Sequence, residues 1–279
     1  MSARRGTEGL QPQDLVLTIF GAQVRGGERM WSGGMVEILR ALDVTTASAR
    51  ASLARLVNRQ LLARTREGRL AFYSLTPRAE RLLADGDERI FGFGRSPQDG
   101  SWTVVWHTLP ESERVARAGL AARLRFLGFG PVQDRTWIAP HDRRADVLAL
   151  VAELAIERHA CVLTGAMAAE LPPVSLVGET WQLDRVAERY REFLAEFGPL
   201  RDRRPHPALS DGEAFRAHTL LVHRFRGFAL VDPELPEAYD PLAELRREVV
   251  GCFDEVAAAL RERAAAWFWA AAAPDGSNS

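Results

Sequence analysis

Residues 45–75 read TTASARASLARLVNRQLLARTREGRLAFYSL and hold six arginines against a single acid, Glu67. The first half has the period of a helix. From a cap at Thr45 or Thr46 to about Arg59, Ala49, Leu53, Leu56 and Val57 fall in one apolar stripe. Ser48, Ala51, Arg55, Asn58 and Arg59 cluster on the far side, and Arg50 lies at the border. The second half changes to the period of a strand. Leu62, Ala63 and Arg64 lead into Thr65-Arg66-Glu67-Gly68-Arg69, and Leu70, Phe72 and Leu75 follow, which predicts a β-hairpin turning at Glu67-Gly68. Small residues and hydroxyls let a helix approach a nucleic-acid groove closely, while guanidinium groups reach phosphates or the paired acceptors of guanine.

Toward the N-terminus, Asp14–Val24 places Leu15, Ile19 and Ala22 on one face, and Ser32–Leu42 repeats the pattern with Met35, Ile38, Leu39 and Leu42. The loop RGGERMWSGG separates them, its paired glycines breaking helical continuity. Three helices followed by a hairpin predict a winged helix-turn-helix. Its expected DNA contacts are Thr46, Ser48, Arg50, Arg55, Asn58 and Arg59 from the third helix and Arg64, Arg66 and Arg69 from the wing. The competing reading pairs Arg55 and Arg59 with acids on neighbouring helices and leaves the hairpin as a charged, solvated edge.

Composition sets the frame around this stretch. With 279 residues and 47% hydrophobic content the chain can bury two or three cores, and its longest apolar run, Ala264–Ala273, is too short to span a bilayer. The start, MSARRGTEGL, lacks the apolar core of a signal peptide, so a cytoplasmic protein without membrane insertion is expected. All 36 basic residues are arginine. Residues 1–81 hold 13 arginines and 7 acids, a net +6, whereas the remainder holds 23 arginines and 30 acids, a net −7. Such a split implies that one part meets a polyanion and the rest serves another role. Cys161 and Cys252 lie outside any metal-ligand spacing and are expected as two small buried hydrophobes; no metal or cofactor is called for.

A short helix over Pro77–Leu83 leads into a glycine-rich connector ending at Gly100. From there the pattern runs strand (Trp102–His107), helix (Glu111–Leu127), a strand pair within Phe129–Ala139, helix (Asp142–Glu157) and strand (Ala160–Thr164), an order that predicts a ferredoxin-like sheet covered by two helices. From Glu179, helical spacing through Trp181, Leu183, Val186, Ala187, Tyr190, Leu194 and Phe197 stops at Gly198-Pro199. Two further helices are expected over Glu213–Leu230 and from Leu242 to about Ala272. The expected fold is α+β, with a winged-helix domain over 1–85, a linker over 86–100, a ferredoxin-like α/β domain over 101–175, a mostly helical domain over 176–273 and a disordered tail over 274–279.

The order of motifs resembles the PaaX family of bacterial regulators. The matching residues are Trp31 with Gly33, Arg50-x-x-Leu53-x-Arg55-Leu56, Arg66-x-Gly68-Arg69-x-x-Phe72-Tyr73-Ser74-Leu75 and Leu127-Gly128-Phe129-Gly130. Further on come Trp181-x-Leu183, Tyr190-x-x-Phe193, His223-x-x-Arg226 and Asp232-Pro233-x-Leu235-Pro236. The resemblance implies an N-terminal winged helix, a Cas2-like central domain and a helical C-terminal domain. It also implies a repressor released by phenylacetyl-coenzyme A. Two departures stand out: Gln60 follows the third helix where the family often has glycine, and Tyr239-Asp240-Pro241-Leu242 replaces a tryptophan-glycine motif.

The resulting expectation is a dimeric, ligand-responsive regulator on an inverted repeat in double-stranded DNA, because two-fold symmetry doubles the few base pairs one helix can read. An acyl-coenzyme A effector would need arginines for its phosphates and an apolar pocket for its acyl group, and Trp181, Tyr190, His223 and Arg226 are the candidate lining residues; the competing reading is helix-core packing for Trp181 and Tyr190 and a satisfied buried polar pair for His223 and Arg226. A Cas2-like nuclease is the enzyme alternative, but WTVVWHTLP supplies no aspartate at the end of its strand and no hydrolase or phosphate-loop motif is present. A winged helix that binds protein rather than DNA is the third reading.

Overall fold

The computed structural model describes residues 11–24, 27–95, 100–167, 174–201 and 209–274. Three helices open the chain: α1 (Pro12–Gln23), α2 (Ser32–Arg40) and α3 (Thr46–Asn58). The hairpin β2 (Leu62–Glu67) and β3 (Leu70–Leu75) follows α3, and a two-residue strand β1 (Met30–Trp31) pairs with β3 to give a sheet in the order β1-β3-β2. Leu15, Val16, Ile19 and Phe20 of α1, Met35, Ile38 and Leu39 of α2, and Ala49, Leu53 and Leu56 of α3 are buried together. Each large side chain among them stabilises the fold by about 1.5–3 kcal/mol relative to exposure. Ala22, expected on this face, is exposed; Val16 and Phe20 fill the space instead.

Local chemistry fixes the element ends. The Thr45 hydroxyl caps α3 by accepting from the Ser48 N–H at 3.2 Å. Trp31 folds its ring over Gly33, where a Cβ would lie 2.3 Å from the indole. The hairpin turns at Gly68-Arg69, one residue later than expected, because Glu67 is still paired with Leu70. Gly68 takes φ 58°, and with a positive φ at the first central residue only, the loop has the φ signature of a II′ turn, whose twist matches that of the strands.

A helix α4 (Pro77–Gly92) comes next, so residues 86–92 of the expected linker are helical. Ala79, Leu83 and Ile90 are buried at one-face spacing, and that face outweighs the glycine at position 86. Strand β4 (Ser101–His107), α5 (Arg114–Phe126), β5 (Gly130–Gln133), β6 (Thr136–Pro140), α6 (Arg144–Glu153) and β7 (Ala160–Ala166) then form a four-stranded antiparallel sheet in the order β5-β6-β4-β7. Two interleaved split βαβ units give this order, which is the ferredoxin-like arrangement. Val105, Leu120, Leu124, Phe129, Trp137, Val147 and Leu150 make its core. Cys161, expected buried, is exposed, and Cys252 is buried as expected.

The helix expected from Glu179 is two helices, α7 (Val174–Trp181) and α8 (Leu183–Phe197), broken at Gln182, which has φ 51°. Helices α9 (Asp211–Val231) and α10 (Ala243–Ala272) complete the chain, and no helix among the described residues is long and apolar enough to cross a membrane. The expected tail over 274–279 lies outside the described residues from 275 onward. Two compact units result: Met1–Phe91 with Ala195–Phe225 and Gly251–Ser279, and Gly92–Leu194 with Arg226–Val250. The first core therefore reaches beyond residue 85. It includes Phe215, Phe268 and Ala272, and a Cβ on Gly34 would lie 2.8 Å from the Ala271 carbonyl. The helical region expected over 176–273 contributes to both units.

Candidate nucleic-acid interface and ligand pocket

The outer face of α3 is built by the burial of its inner one. Ala49, Ser52, Leu53 and Leu56 point inward, which turns Arg50, Ala51, Arg55, Asn58 and Arg59 to solvent. Thr46 and Ser48 are half-buried at the first turn. At about 100° per residue, Arg50 and Arg55 stand some 140° apart around the axis, with Ala47, Ala51, Ala54 and Asn58 between them. The helix thus presents a narrow strip of small side chains edged by guanidinium groups. Arg55 donates to the Ser52 hydroxyl at 2.8 Å, a neutral partner that holds the guanidinium near the helix without cancelling its charge.

Register sorts the hairpin residues by face. Leu62 pairs with Leu75, Arg64 with Tyr73 and Arg66 with Ala71, so Arg64 and Arg66 share a face with buried Leu62 and Tyr73. That face packs on the helices at its base and carries arginines beyond it. Glu67 and Phe72 occupy the opposite face. There Arg29 pairs with Glu67 and lies over the Phe72 ring, 5.2 Å from its centroid. The only acid of the stretch is thereby occupied by an arginine from outside it. Arg50, Arg55, Arg59, Arg64, Arg66 and Arg69 are all exposed, and among the described residues none of them has an ion-pair partner. Arg59 lies near Asp14: burial raises the Asp14 pKa, and the Arg59 charge partly counters it.

The four expected effector residues are distributed differently. Trp181 lines a cavity of about 270 Å³ together with Arg125, Arg185, Arg189, Leu230 and Val231. Its indole N–H donates to the Gly128 carbonyl at 3.2 Å. Gly130 sits so close to α7 that a Cβ would lie 2.1 Å from the Thr180 methyl, which accounts for the glycines of the Leu127–Gly130 motif together with φ 90° at Gly128. Tyr190 is fully buried behind this cavity and donates to Asp232. Burial first, then the Asp232 charge, pushes its pKa well above the ordinary value. Asp232 also receives two hydrogen bonds from Arg246, at 2.7 and 2.8 Å, and Arg246 reaches Asp240 as well. Burial alone would disfavour the Arg246 charge; the Asp232 carboxylate overrides it and raises the pKa. Tyr190 is thus a structural strut rather than a wall of the cavity. His223 belongs to the other unit, where its Nδ1 lies 2.9 Å from the Thr18 hydroxyl, and Arg226 does not line the cavity.

Arg125, Arg185 and Arg189 escape a sequence reading because charged residues on helices usually mark a solvated face; the four-residue spacing of Arg185 and Arg189 is the one signal available. Strand β4 ends on His107, and among the described residues no group of three or more His, Cys, Asp or Glu side chains could hold a metal ion.

Comparison with known proteins covers the same segments. The chain matches the PaaX-like protein model over residues 11–79, the PaaX protein central Cas2-like domain over 95–177 and the PaaX-like protein C-terminal domain over 181–270. It is 28% identical over 235 residues to the transcriptional repressor PaaX of Escherichia coli (strain K12), covering 81% of this chain and 73% of that one. A solved structure of an uncharacterized protein from Mycobacterium tuberculosis superposes with a TM-score of 0.55 at 20% identity, covering 92% of this chain and 97% of that one, a likeness of fold alone.

Proposed function

The chain belongs to the PaaX family, and from that membership we propose that it is a transcriptional repressor that binds operator DNA through a winged helix formed by α1–α3 and the β2–β3 hairpin. One observation carries the reading: six exposed arginines, without an ion pair among the described residues, lie on the outer face of α3 and along the hairpin. Solvated surface arginines commonly find a carboxylate; six that do not, beside an acid already occupied by Arg29, leave a concentrated positive field for phosphates. The small residues of α3 favour entry into the major groove, and Arg64, Arg66 and Arg69 suit the flanking backbone or minor groove.

The repressor acts as a dimer on an inverted repeat and is released by an acyl-coenzyme A such as phenylacetyl-coenzyme A. Support for the effector comes from the cavity at Trp181, where Arg125, Arg185 and Arg189 offer partners for phosphates and Leu230, Val231 and Trp181 an apolar wall. Support for the dimer comes from one part of a face of the four-stranded sheet: Trp102 on that face is buried against Trp181 and Tyr239, but Trp106 and Leu163 remain 37% and 58% exposed. Binding of the promoter region upstream of the gene, followed by gel shift with and without phenylacetyl-coenzyme A, tests the proposal. The expected result is a specific complex that the effector dissolves and that Arg55→Ala weakens by about 1–3 kcal/mol. Wild-type affinity in Arg55→Ala removes Arg55 from the base contacts, and no specific complex at all sinks the repressor reading.

A further inference from the structure

The second unit carries another basic cavity, separate from the one at Trp181. His107 at the end of β4, Arg114 and Arg117 in the first turn of α5, Asp134 and Arg135 in the β5–β6 turn, and Trp137 of β6 line a space of about 280 Å³. Two independent observations single it out. His107 is only 6% exposed, and its Nδ1 has no hydrogen-bond partner, a condition that folded proteins seldom leave uncompensated. The second observation is electrostatic. Helix α5 has no acid in its first turn, its cap residue Glu113 is exposed and makes no side-chain cap bond, and the helix places Arg114 and Arg117 at its positive end. Like charges there repel the helix dipole until an anion lies between them.

The single carboxylate does not neutralise the site. Asp134 lies 3.8 Å from Arg117 Nη2 and 3.4 Å from Arg135 Nε, so one negative group serves two of three guanidiniums. We propose that this cavity binds a small phosphate monoester, held by the guanidiniums of Arg114, Arg117 and Arg135 and by Nδ1 of His107. Donors converging from β4, α5 and the β5–β6 turn match the three terminal oxygens of a phosphoryl group better than the two of a carboxylate. The size sets a limit on the remainder of the ligand: the cavity is at the lower edge of ordinary ligand pockets, which suits a compact organic phosphate and not an extended cofactor. Burial, then the charges of Arg117 and Arg135, hold the His107 pKa below its ordinary value, against the opposing pull of Asp134. The ring is therefore neutral near pH 7 and able to donate from one nitrogen. This inference rests neither on the operator nor on the acyl-coenzyme A reading.

Calorimetric titration of the full chain with inorganic phosphate, at ionic strength held constant with chloride, tests it alongside NMR titration of the His107 ring protons. Saturable binding is expected, with half-saturation at about 1 mM or below. Arg114→Gln and Arg117→Gln should each weaken it about tenfold, the scale of one charge-assisted hydrogen bond. Phosphate should also shift the His107 titration to higher pH, because a bound dianion favours the charged ring, a response that a purely structural histidine would not give. Arg114 is exposed, so its replacement keeps the test informative if Arg117→Gln fails to fold. No saturation by about 20 mM phosphate, or unchanged affinity in Arg114→Gln with an unmoved His107 titration, overturns the proposal. Displacement of phosphate by a short DNA duplex but not by glycerol phosphate would assign the site to nucleic-acid backbone and overturn the small-ligand assignment.

Discussion

Gln60 ends α3 in the left-handed region, at φ 56°. Its N–H bonds to the Val57 carbonyl and the Leu61 N–H to the Leu56 carbonyl, both at 2.9 Å, the paired bonds of a Schellman motif that glycine usually closes. A side chain in that conformation costs roughly 1–2 kcal/mol, and glycine gives back part of the gain through a freer unfolded chain. Gln60→Gly is therefore expected to stabilise the protein by about 0.5–1 kcal/mol, read as a higher urea midpoint at constant slope; a lower midpoint would show that the glutamine side chain matters more than its backbone angle. His218 offers a second test at this scale. It is buried with Nδ1 unpartnered, and burial, then Arg261, lowers its pKa from 6.5 to about 4. Above pH 6.5 the ring is neutral whether the chain is folded or not. As pH falls from 6.5 to 4 the unfolded chain takes up a proton that the folded one refuses, so stability should drop by about 3 kcal/mol across that window. His218→Gln should flatten the stability curve there, and an unflattened curve would place the pH sensitivity elsewhere.

The hairpin separates its charges by face, and that separation makes its contribution measurable. Arg64 and Arg66 extend beyond Leu62 and Tyr73, Arg69 stands in the turn, and Glu67 is held by Arg29 on the other side. If these arginines contact phosphates, replacing each with glutamine should reduce the slope of log K against log salt by about 1, with similar losses on operator and random DNA. A loss confined to operator DNA would make the hairpin a base reader instead. Much of this element was legible in the sequence, because Ala49, Leu53 and Leu56 set the period of α3, and the alternation through Leu70 and Phe72 set the strand. The turn was misplaced by one residue because Glu67 and Gly68 look like a turn pair while the ladder extends through Glu67. The break at Gln182 left no trace, since neither glycine nor proline marks it and apolar spacing continues on both sides. At α4 the opposite error arose: a glycine run suggested a connector, but the buried face of Ala79, Leu83 and Ile90 holds a helix through it.

At the scale of the whole molecule, periodicity says which faces are apolar but not which face meets which, so the mixing of the C-terminal helices into both units was beyond reach. Phe215, Phe268 and Ala272 complete a core begun by Leu15 and Phe20, two hundred residues earlier in sequence. Trp106 and Leu163 mark the complementary case, apolar groups on the sheet face that packing within the chain leaves open. Because Val104 pairs with Leu163 and Trp106 with Cys161, these side chains form one patch on adjacent strands. A second copy laid on that patch would bury it and give the two-fold symmetry that an inverted repeat requires. Charge on the patch should prevent this without touching the arginines of α3 and the hairpin. Trp106→Glu with Leu163→Glu is expected to sediment as a monomer at micromolar concentration, to lose at least tenfold in affinity for a full inverted repeat, and to keep wild-type affinity for an isolated half-site. A double variant that still sediments as a dimer would move the self-association surface elsewhere, and a wild-type chain that sediments as a monomer and binds half-sites and full sites alike would remove the symmetric-dimer reading altogether.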